Sequence, residues 1–168
     1  TNGDLKLATK SGSTWTIEVV DGATTDVGWY ASLAGISAGA PEIAYYDVTN
    51  GDLKFAMKTG STWTIELVDA VGNVGEYLSF YTDRIESESF LGTASERHSI
   101  AYHDRTNGDL KFAYRVSPGV WSTQVVDAVG TVGRHNSLVL DLEGRPHIAY
   151  RDVTNGTLKL ASAVRLDD

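Results

Sequence analysis

The stretch TNGDLKFA at residues 49–56 decides the fold, because the chain contains four versions of it. Near-copies stand at 1–8 (TNGDLKLA), 106–113 (TNGDLKFA) and 154–161 (TNGTLKLA). The leucines at equivalent positions, Leu5, Leu53, Leu110 and Leu158, are 48, 57 and 48 residues apart. Recurrence at a period of this size is the signature of a repeat protein, in which each unit is one small supersecondary element.

Composition narrows the class of partner. The 168 residues carry a formal charge of −8, and a negative field repels phosphate backbones, so we expect no nucleic acid partner. Apolar runs are far shorter than the ~20 residues of a membrane-crossing helix, so we expect no membrane association. With no cysteine, disulfides and thiolate metal sites are excluded, and we expect no cofactor.

Each repeat unit has the residues of four short strands separated by glycine-rich turns. We name the strands after their residues: the Trp strand (15–21, 63–69, 121–127), the Ser-Leu strand (around 32–33, 79–80, 137–138), the Tyr strand (43–47, 100–104, 148–152) and the Lys strand, Leu-Lys-x-Ala. A turn with Asn50-Gly51, which tolerates positive φ, joins the Tyr and Lys strands as a hairpin. Four strands at this period match a β-propeller blade.

The predicted fold is an all-β, single-domain β-propeller over residues 1–168. Counting from the first Trp strand gives three four-stranded antiparallel blades at about 15–58, 63–115 and 121–163, with 1–10 as an extra outer strand and thirteen strands in all. Propellers have about four to eight blades, so three blades form only a half-ring. We expect a second chain to complete it as a homodimer of about six blades, or the remainder of a longer chain to do so.

The repeat also resembles known families. Its pattern, W-x4-VD, VG, SL-x-LD-x-x-G-x-PHIAY-x-D-x-TNG-x-LK-x-A, runs through the full chain and resembles a propeller repeat of bacterial and viral proteins of undefined activity. Its form and period are similar to the five-bladed tachylectin-type lectins. The spacing of Asp47, Thr49, Gly51 and Leu53 resembles the Asp-box of sialidase-like propellers, with polar residues exchanged and Leu in place of Thr. The resemblance implies a propeller, a glycan ligand, and an extracellular or virion-surface location.

Residues shared by all units are expected to serve folding. Tyr45, Tyr102 and Tyr150 recur in the Tyr strand and are predicted core residues. Trp15, Trp63 and Trp121 either pack between blades or offer a stacking platform for a sugar, and packing is favoured. Lys6, Lys54, Lys111 and Lys159 recur on the Lys strand, which we expect to be the outermost strand, where lysine protects an exposed edge from aggregation.

One unit differs from the others by an insertion. The segment from Ser79 to Ile100 is ten residues longer than its equivalents, and the extra residues fall within TDRIESESFLGTASERH at 82–98. A long loop on a rigid scaffold often carries function, although it can also be a tolerated insertion or pack on a neighbour. The candidate ligand-binding residues are Asp83, Arg84, Glu86, Glu88, Arg97, His98 and Arg145, with Trp63 as the candidate sugar platform.

We therefore predict a non-catalytic recognition module with glycan as the first ligand. One alternative is a sialidase-like glycoside hydrolase, in which Arg84, Arg97 and Arg115 would converge on one carboxylate. Another is a structural or virion attachment scaffold, in which the 82–98 loop docks on another subunit. No metal site is predicted, because the four histidines lack ligand-like spacing along the chain.

Overall fold

The computed structural model describes residues 3–22, 25–37, 40–85 and 95–163. These residues form thirteen β-strands: β1 (Leu5–Ser11), β2 (Thr14–Asp21), β3 (Val27–Ser37), β4 (Ala40–Asp47), β5 (Asp52–Thr59), β6 (Thr62–Asp69), β7 (Val74–Ile85), β8 (Ser95–Asp104), β9 (Asp109–Ser117), β10 (Val120–Asp127), β11 (Val132–Leu140), β12 (Pro146–Asp152) and β13 (Thr157–Ser162). The all-β prediction is confirmed. Within the described ranges, no helix is long and apolar enough to cross a membrane.

The strands form four antiparallel sheets in chain order. Sheet 1 contains β1 and β2, sheet 2 contains β3 to β6, sheet 3 contains β7 to β10, and sheet 4 contains β11 to β13. In sheets 2 and 3 the order in space is the order in the chain, which is the meander of a propeller blade. Neighbouring sheets approach each other most closely along β3, β7 and β11. These Ser-Leu strands therefore lie towards the centre, and the Trp strands lie at the periphery.

The predicted blade boundaries are wrong by one strand, although the strand count is right. The Trp strand was expected to open each blade, but β6 pairs with the Lys strand β5 before it, with Lys58 opposite Trp63. The physical reason is the turn: only two residues separate β5 from β6, and so short a hairpin requires its two strands to pair. The four-stranded blades therefore run from Val27 to Asp69 and from Val74 to Asp127.

The predicted edge role is wrong for Lys54 and Lys111, because the Lys strand is internal in sheets 2 and 3, whereas β1 and β13 lie at the edges of sheets 1 and 4. Lys54 Nζ lies 2.6 Å from Asp47 Oδ2 and 3.8 Å from Asp21 Oδ2. Lys111 Nζ lies 2.5 Å from Asp69 Oδ2 on the preceding sheet. These lysines link neighbouring sheets instead of protecting an edge.

The core lies between the faces of successive sheets, and the tyrosines predicted to be core are buried. Tyr45 and Tyr102 are 0% exposed and Tyr150 is 4% exposed. Beside these tyrosines, the Val-Gly pair at the start of each sheet packs against the Lys strand of the sheet before it. A Cβ atom built on Gly133, whose φ is +86°, would lie 2.9 Å from Leu110 Cα. Only glycine permits both that conformation and that approach.

Candidate functional site

The antiparallel order of the strands places the turns on two surfaces of the disc. The loops between the Ser-Leu and Tyr strands share one surface with the turns between the Lys and Trp strands. We call this the insertion surface, because β7 ends and β8 begins there, on either side of the inserted residues. The opposite surface, the linker surface, carries the connections between sheets, such as Asn73, whose backbone N–H bonds the Thr106 hydroxyl at 2.7 Å.

A pocket of about 190 Å³ opens between sheets 3 and 4 towards the insertion surface. Its lining residues are Arg97, His98, Ser99, Phe112, Tyr114, Arg115, Leu140, Gly144 and Pro146. Tyr114 is 45% exposed, so its ring is accessible. Gly144 makes room for Arg97, because a Cβ at that position would overlap the guanidinium group. We call this space the sheet 3–4 pocket.

Two of the predicted site residues, Arg97 and His98, line this pocket. Arg145 follows Gly144 in the turn before β12, where its Nε donates to Asp141 Oδ2 at 2.7 Å and its Nη2 donates to Glu143 Oε2 at 2.8 Å. Partial burial opposes ionisation of Asp141, but the hydrogen bonds from Arg145 and His147 outweigh it and hold the pKa of the carboxyl below its usual range. The charge of Arg145 is thus compensated within its own turn.

Of the remaining predicted site residues, only Trp63 has a described side chain, and it does not line the pocket. Asp83 and Arg84 lie near the end of β7, opposite Arg97 and Glu96 of β8, and only their backbone is described. Glu86 and Glu88 lie outside the described residues. Trp63 lies elsewhere, in the interface of sheets 1 and 2, where it packs against a buried cluster that includes Leu5 and Tyr45.

The tryptophans of the Trp strands are interface residues wherever a preceding sheet exists. The Trp121 ring lies 5.3 Å from that of Phe55 in sheet 2, and its Nε1 donates to Glu66 at 2.8 Å. Trp63 is half-buried in the equivalent place, with Lys58 Nζ 5.5 Å from its ring centroid. Trp15, in sheet 1, is 60% exposed. Trp63 therefore packs between sheets 1 and 2 with part of its side chain exposed.

Arg115 lines the pocket but is committed to Glu66. Its Nε donates to Glu66 Oε2 at 3.0 Å, and its Nη2 contacts Glu66 Oε1. Burial opposes ionisation of Glu66, but the hydrogen bonds from Arg115 and Trp121 outweigh it and lower the pKa of the carboxyl. A hydrolase that holds a substrate carboxylate with Arg97 and Arg115 would need to release this pair, and the third candidate, Arg84, has no described side chain.

The structure brings together three groups able to hold a divalent metal ion. His98 Nε2 lies 2.9 Å from Glu42 Oε1 and 3.9 Å from Glu96 Oε2, and the three ligand atoms lie within 4.8 Å of one another. Glu42 and His98 are each 4% exposed, and Glu42 Oε2 has no hydrogen-bond partner among the described residues. One imidazole and two carboxylates form a ligand set that suits zinc. Spacing along the chain does not reveal this group, because Glu42 and His98 are 56 residues apart.

A second constellation that sequence reasoning missed lies on the central strands. Tyr30, Tyr77 and His135 hold equivalent positions, with φ of 53°, 52° and 49°, which is strained for residues with a side chain. Their rings form a ladder, with centroids 4.8 Å apart for Tyr30 and Tyr77 and 4.6 Å apart for Tyr77 and His135. Burial, and then a hydrogen bond with Tyr77, raise the pKa of Tyr30 to about 12. In the sequence, these three residues end a repeated Val-Gly-x-Tyr/His pattern, which reads VGWY, VGEY and VGRH.

Comparison with known proteins confirms the β-propeller class. The chain resembles a fungal lectin from Aleuria aurantia, a six-bladed β-propeller with a novel fucose recognition mode, with a TM-score of 0.59 and 14% identity over 98% of this chain and 54% of that chain. At this identity the likeness establishes the fold alone.

One protein-family model matches part of the sequence. Residues 37–106, less than half of the chain, match the family described as bacteriophage baseplate protein, N-terminal domain. No curated protein sequence matches the chain.

Proposed function

We propose that the chain is a non-catalytic recognition module that binds a saccharide, or another small polar ligand, in the sheet 3–4 pocket. The observation that supports this proposal is that Arg97, Ser99 and the accessible ring of Tyr114 line one recess of the insertion surface. β7 and β8, which flank the inserted residues, end and begin at the same surface. The ligand is therefore contacted on a rigid scaffold beside the one loop that the repeat does not specify.

The chemistry of the lining suits a sugar ring. Phe112, Tyr114, Leu140 and Pro146 supply apolar contact for the C–H face of a pyranose, and Arg97 and Ser99 supply groups that hydrogen-bond hydroxyls. Ligand sites commonly combine such apolar walls with a few polar groups that fix orientation. The volume of about 190 Å³ is small for a ligand pocket and fits one ring in preference to a chain.

A glycan array probed with the intact protein tests this proposal. Binding should be lost in Tyr114→Ala and in Arg97→Ala. The matched control is Arg105→Ala, because Arg105 is an exposed arginine on the linker surface, paired with Glu76 at 3.2 Å. If no saccharide binds, or if Arg105→Ala weakens binding as much as Arg97→Ala does, the proposal fails.

The second candidate is a structural module of a phage particle, and the baseplate family match over residues 37–106 favours it. The matched segment runs from the end of β3 to the turn after β8 and so includes all of sheet 2 beyond its first strand. In this role the insertion surface contacts another virion protein, and the location is the virion.

Immuno-electron microscopy distinguishes this candidate. Antibodies raised against the chain should label the baseplates of phage particles produced by cells that carry the gene. Antigen found in the lysate but on no particle contradicts the structural role and leaves the recognition module as the better account.

A further inference from the structure

Both ends of the stack of sheets present residues that are buried wherever the repeat is complete. Trp63 and Trp121 pack onto the sheet before them, whereas Trp15, in sheet 1, is 60% exposed. Leu53 and Leu110 are 0% exposed beneath the Val-Gly pair of the next sheet, whereas Leu158, in sheet 4, is 80% exposed. Each end is therefore one half of the kind of interface that successive sheets of the chain form with each other.

An open cavity occupies the place where another tryptophan would pack. It measures about 340 Å³ and is lined by residues that include Phe112, Gln124, Ile148, Ala161 and Ala163. Phe112 repeats the position of Phe55, and Gln124 repeats that of Glu66, which are the two contacts of Trp121. Gln124 carries an amide oxygen able to accept from an indole N–H, as Glu66 does.

A second cavity occupies the place where another Val-Gly pair would lie. It measures about 320 Å³ and is lined by His135, Arg151, Gly156, Thr157 and Leu158. At the internal interfaces, the N–H of Val74 donates to Gly51 O at 2.9 Å and that of Val132 donates to Gly108 O at 2.8 Å. Gly156 repeats Gly51 and Gly108, and its carbonyl meets no such valine among the described residues.

The segment that could fill both cavities is β2 with the residues that follow it. β2 carries Trp15 and leads to Val27-Gly28, but it is paired with β1, whose repeat TNGDLKLA (1–8) differs from TNGTLKLA (154–161) of β13 at one position. We propose that two copies of this chain exchange partners: β2 of one copy pairs with β13 of the other in place of its own β1. Trp15 then enters the Phe112–Gln124 cavity, and Val27-Gly28 covers Leu158 of the other copy.

The charges at the new contact agree with a second copy as the occupant. At the interface of sheets 2 and 3, the Tyr46 hydroxyl donates to Asn73 Oδ1 at 2.7 Å. Arg151 repeats the position of Tyr46, and Asp26 repeats that of Asn73. The exchange therefore sets the exposed guanidinium group of Arg151 against the carboxylate of Asp26 of the second copy. The pair is complementary only when one end of the chain meets the opposite end of another.

The exchange closes a ring at little local cost. Without their β1 strands, two copies supply twenty-four strands, which is six four-stranded blades related by a two-fold axis. The hydrogen bonds that β2 loses with β1 are remade with a strand of nearly the same sequence. The additional burial of Trp15, Leu158 and Leu160, the last 69% exposed in one copy, favours the dimer. This inference is independent of the ligand proposed above.

Engineered cysteines test the exchange directly, because the 168 residues contain no cysteine. Ile17 lies opposite Ala8 in β1, and Ala161 repeats Ala8. Oxidised Ile17→Cys/Ala161→Cys should therefore run as a covalent dimer, since these two positions lie on sheets 1 and 4 of one copy. The matched pair Ala8→Cys/Ile17→Cys locks β1 onto β2 and should yield a monomer by native mass spectrometry that becomes a dimer on reduction.

Point variants give a second readout. Trp15→Ala and Leu158→Asp should each weaken the dimer at least about tenfold, which is 1.4 kcal/mol. Leu142→Asp is the matched control, because Leu142 is 98% exposed in the turn before β12, away from both cavities, and it should leave the dimer unchanged. A wild-type monomer, an assembly of more than two copies, or a dimer unaffected by Trp15→Ala overturns the proposal.

Discussion

The hydroxyl of Tyr102 donates a hydrogen bond of 2.7 Å to Asp69 Oδ2 on the preceding sheet, and Lys111 Nζ reaches the same oxygen at 2.5 Å. Tyr45 repeats this contact with Asp21 at 2.6 Å, and Tyr150 repeats it with Asp127 at 2.7 Å. Each hydrogen bond joins the second strand of one sheet to the end of the Trp strand of the sheet before it. The repeat thus stabilises the interface between sheets as well as each sheet.

Removal of the Tyr102 hydroxyl should destabilise the protein more than the same change at Tyr150. Tyr102→Phe leaves the buried Asp69 carboxylate short of a donor, and a hydrogen bond to a charged group contributes about 1.5–3 kcal/mol. Tyr150→Phe should cost less, because Asp127 is only half-buried and water replaces the lost donor. Urea denaturation of both variants measures the difference, and equal losses would contradict the burial argument.

We expect the protein to lose stability in acid, because the carboxyl groups of Asp69 and Asp152 have lowered pKa values in the folded state. Burial alone would raise the pKa of Asp69, but the hydrogen bonds from Lys111 and Tyr102 outweigh it and hold the pKa below its ordinary value of 3.8. A depressed pKa contributes stability that is present above the unfolded value and is lost as the pH falls through the folded value. Hydrogen bonds from Asn155, and then Lys159, lower the pKa of Asp152 to about 2, so the loss extends down to that pH.

Denaturation at a series of pH values measures this effect. The free energy of unfolding should decline as the pH is lowered from 3.8 towards about 2. Tyr102→Phe should decline less steeply, because Asp69 then has fewer donors in the folded state and its pKa moves back towards the unfolded value. An unchanged slope in that variant would refute the assignment to Asp69.

Glu66 and Glu18 occupy equivalent positions and should respond differently to truncation. Glu66→Ala leaves the guanidinium group of Arg115 half-buried without its partner and removes the acceptor of Trp121, and breaking a buried ion pair costs about 3–5 kcal/mol. Glu18 pairs with Lys58 at a more exposed site, so Glu18→Ala should have little effect. Thermal unfolding of the two variants tests this, with Glu18→Ala as the matched control.

Two glycines separate backbone strain from close packing. Gly60 has φ of +60° and open space around its Cβ position, so Gly60→Ala should cost only the strain of about 1–2 kcal/mol. Gly133→Ala carries a similar strain, and its methyl group would also collide with the backbone of Leu110. Gly133→Ala should therefore lower the midpoint of thermal unfolding clearly more than Gly60→Ala does, and similar midpoints would count against the close approach.

The sequence was sufficient for the elements of the fold but not for their grouping. Hydrophobic alternation and the Asn-Gly turns identified the strands, because each of these signals is local. The assignment of β6 to sheet 2 depends on the turn between Thr59 and Thr62, which has the length of a hairpin turn. A blade counted from its tryptophan ignores that turn. Counting each blade from its tryptophan placed β5 and β9 at the edge of a sheet, and so predicted an edge role for Lys54 and Lys111.

The candidate sites were harder to predict, because they form between sheets. Arg97 and His98 were identified from the charged insertion, and the structure places both in the sheet 3–4 pocket. Tyr114 was missed since it is one more aromatic residue in a strand, and nothing in its neighbours shows that it borders a recess. Glu42 meets His98 only because sheets 2 and 3 stack, which spacing along the chain does not reveal.

The near-identity of the repeats has a kinetic consequence. Residues 1–21 and 49–69 differ at four positions, so β1 and β5 present almost the same hydrogen-bonding edge and side chains to β2 and β6. While the chain is folding, either Lys strand can pair with either Trp strand, and the wrong choice closes a loop that must reopen before the sheets stack. Misassembly between repeats is a characteristic failure of such chains. Refolding should therefore be slower and more dependent on protein concentration than the short turns alone would require.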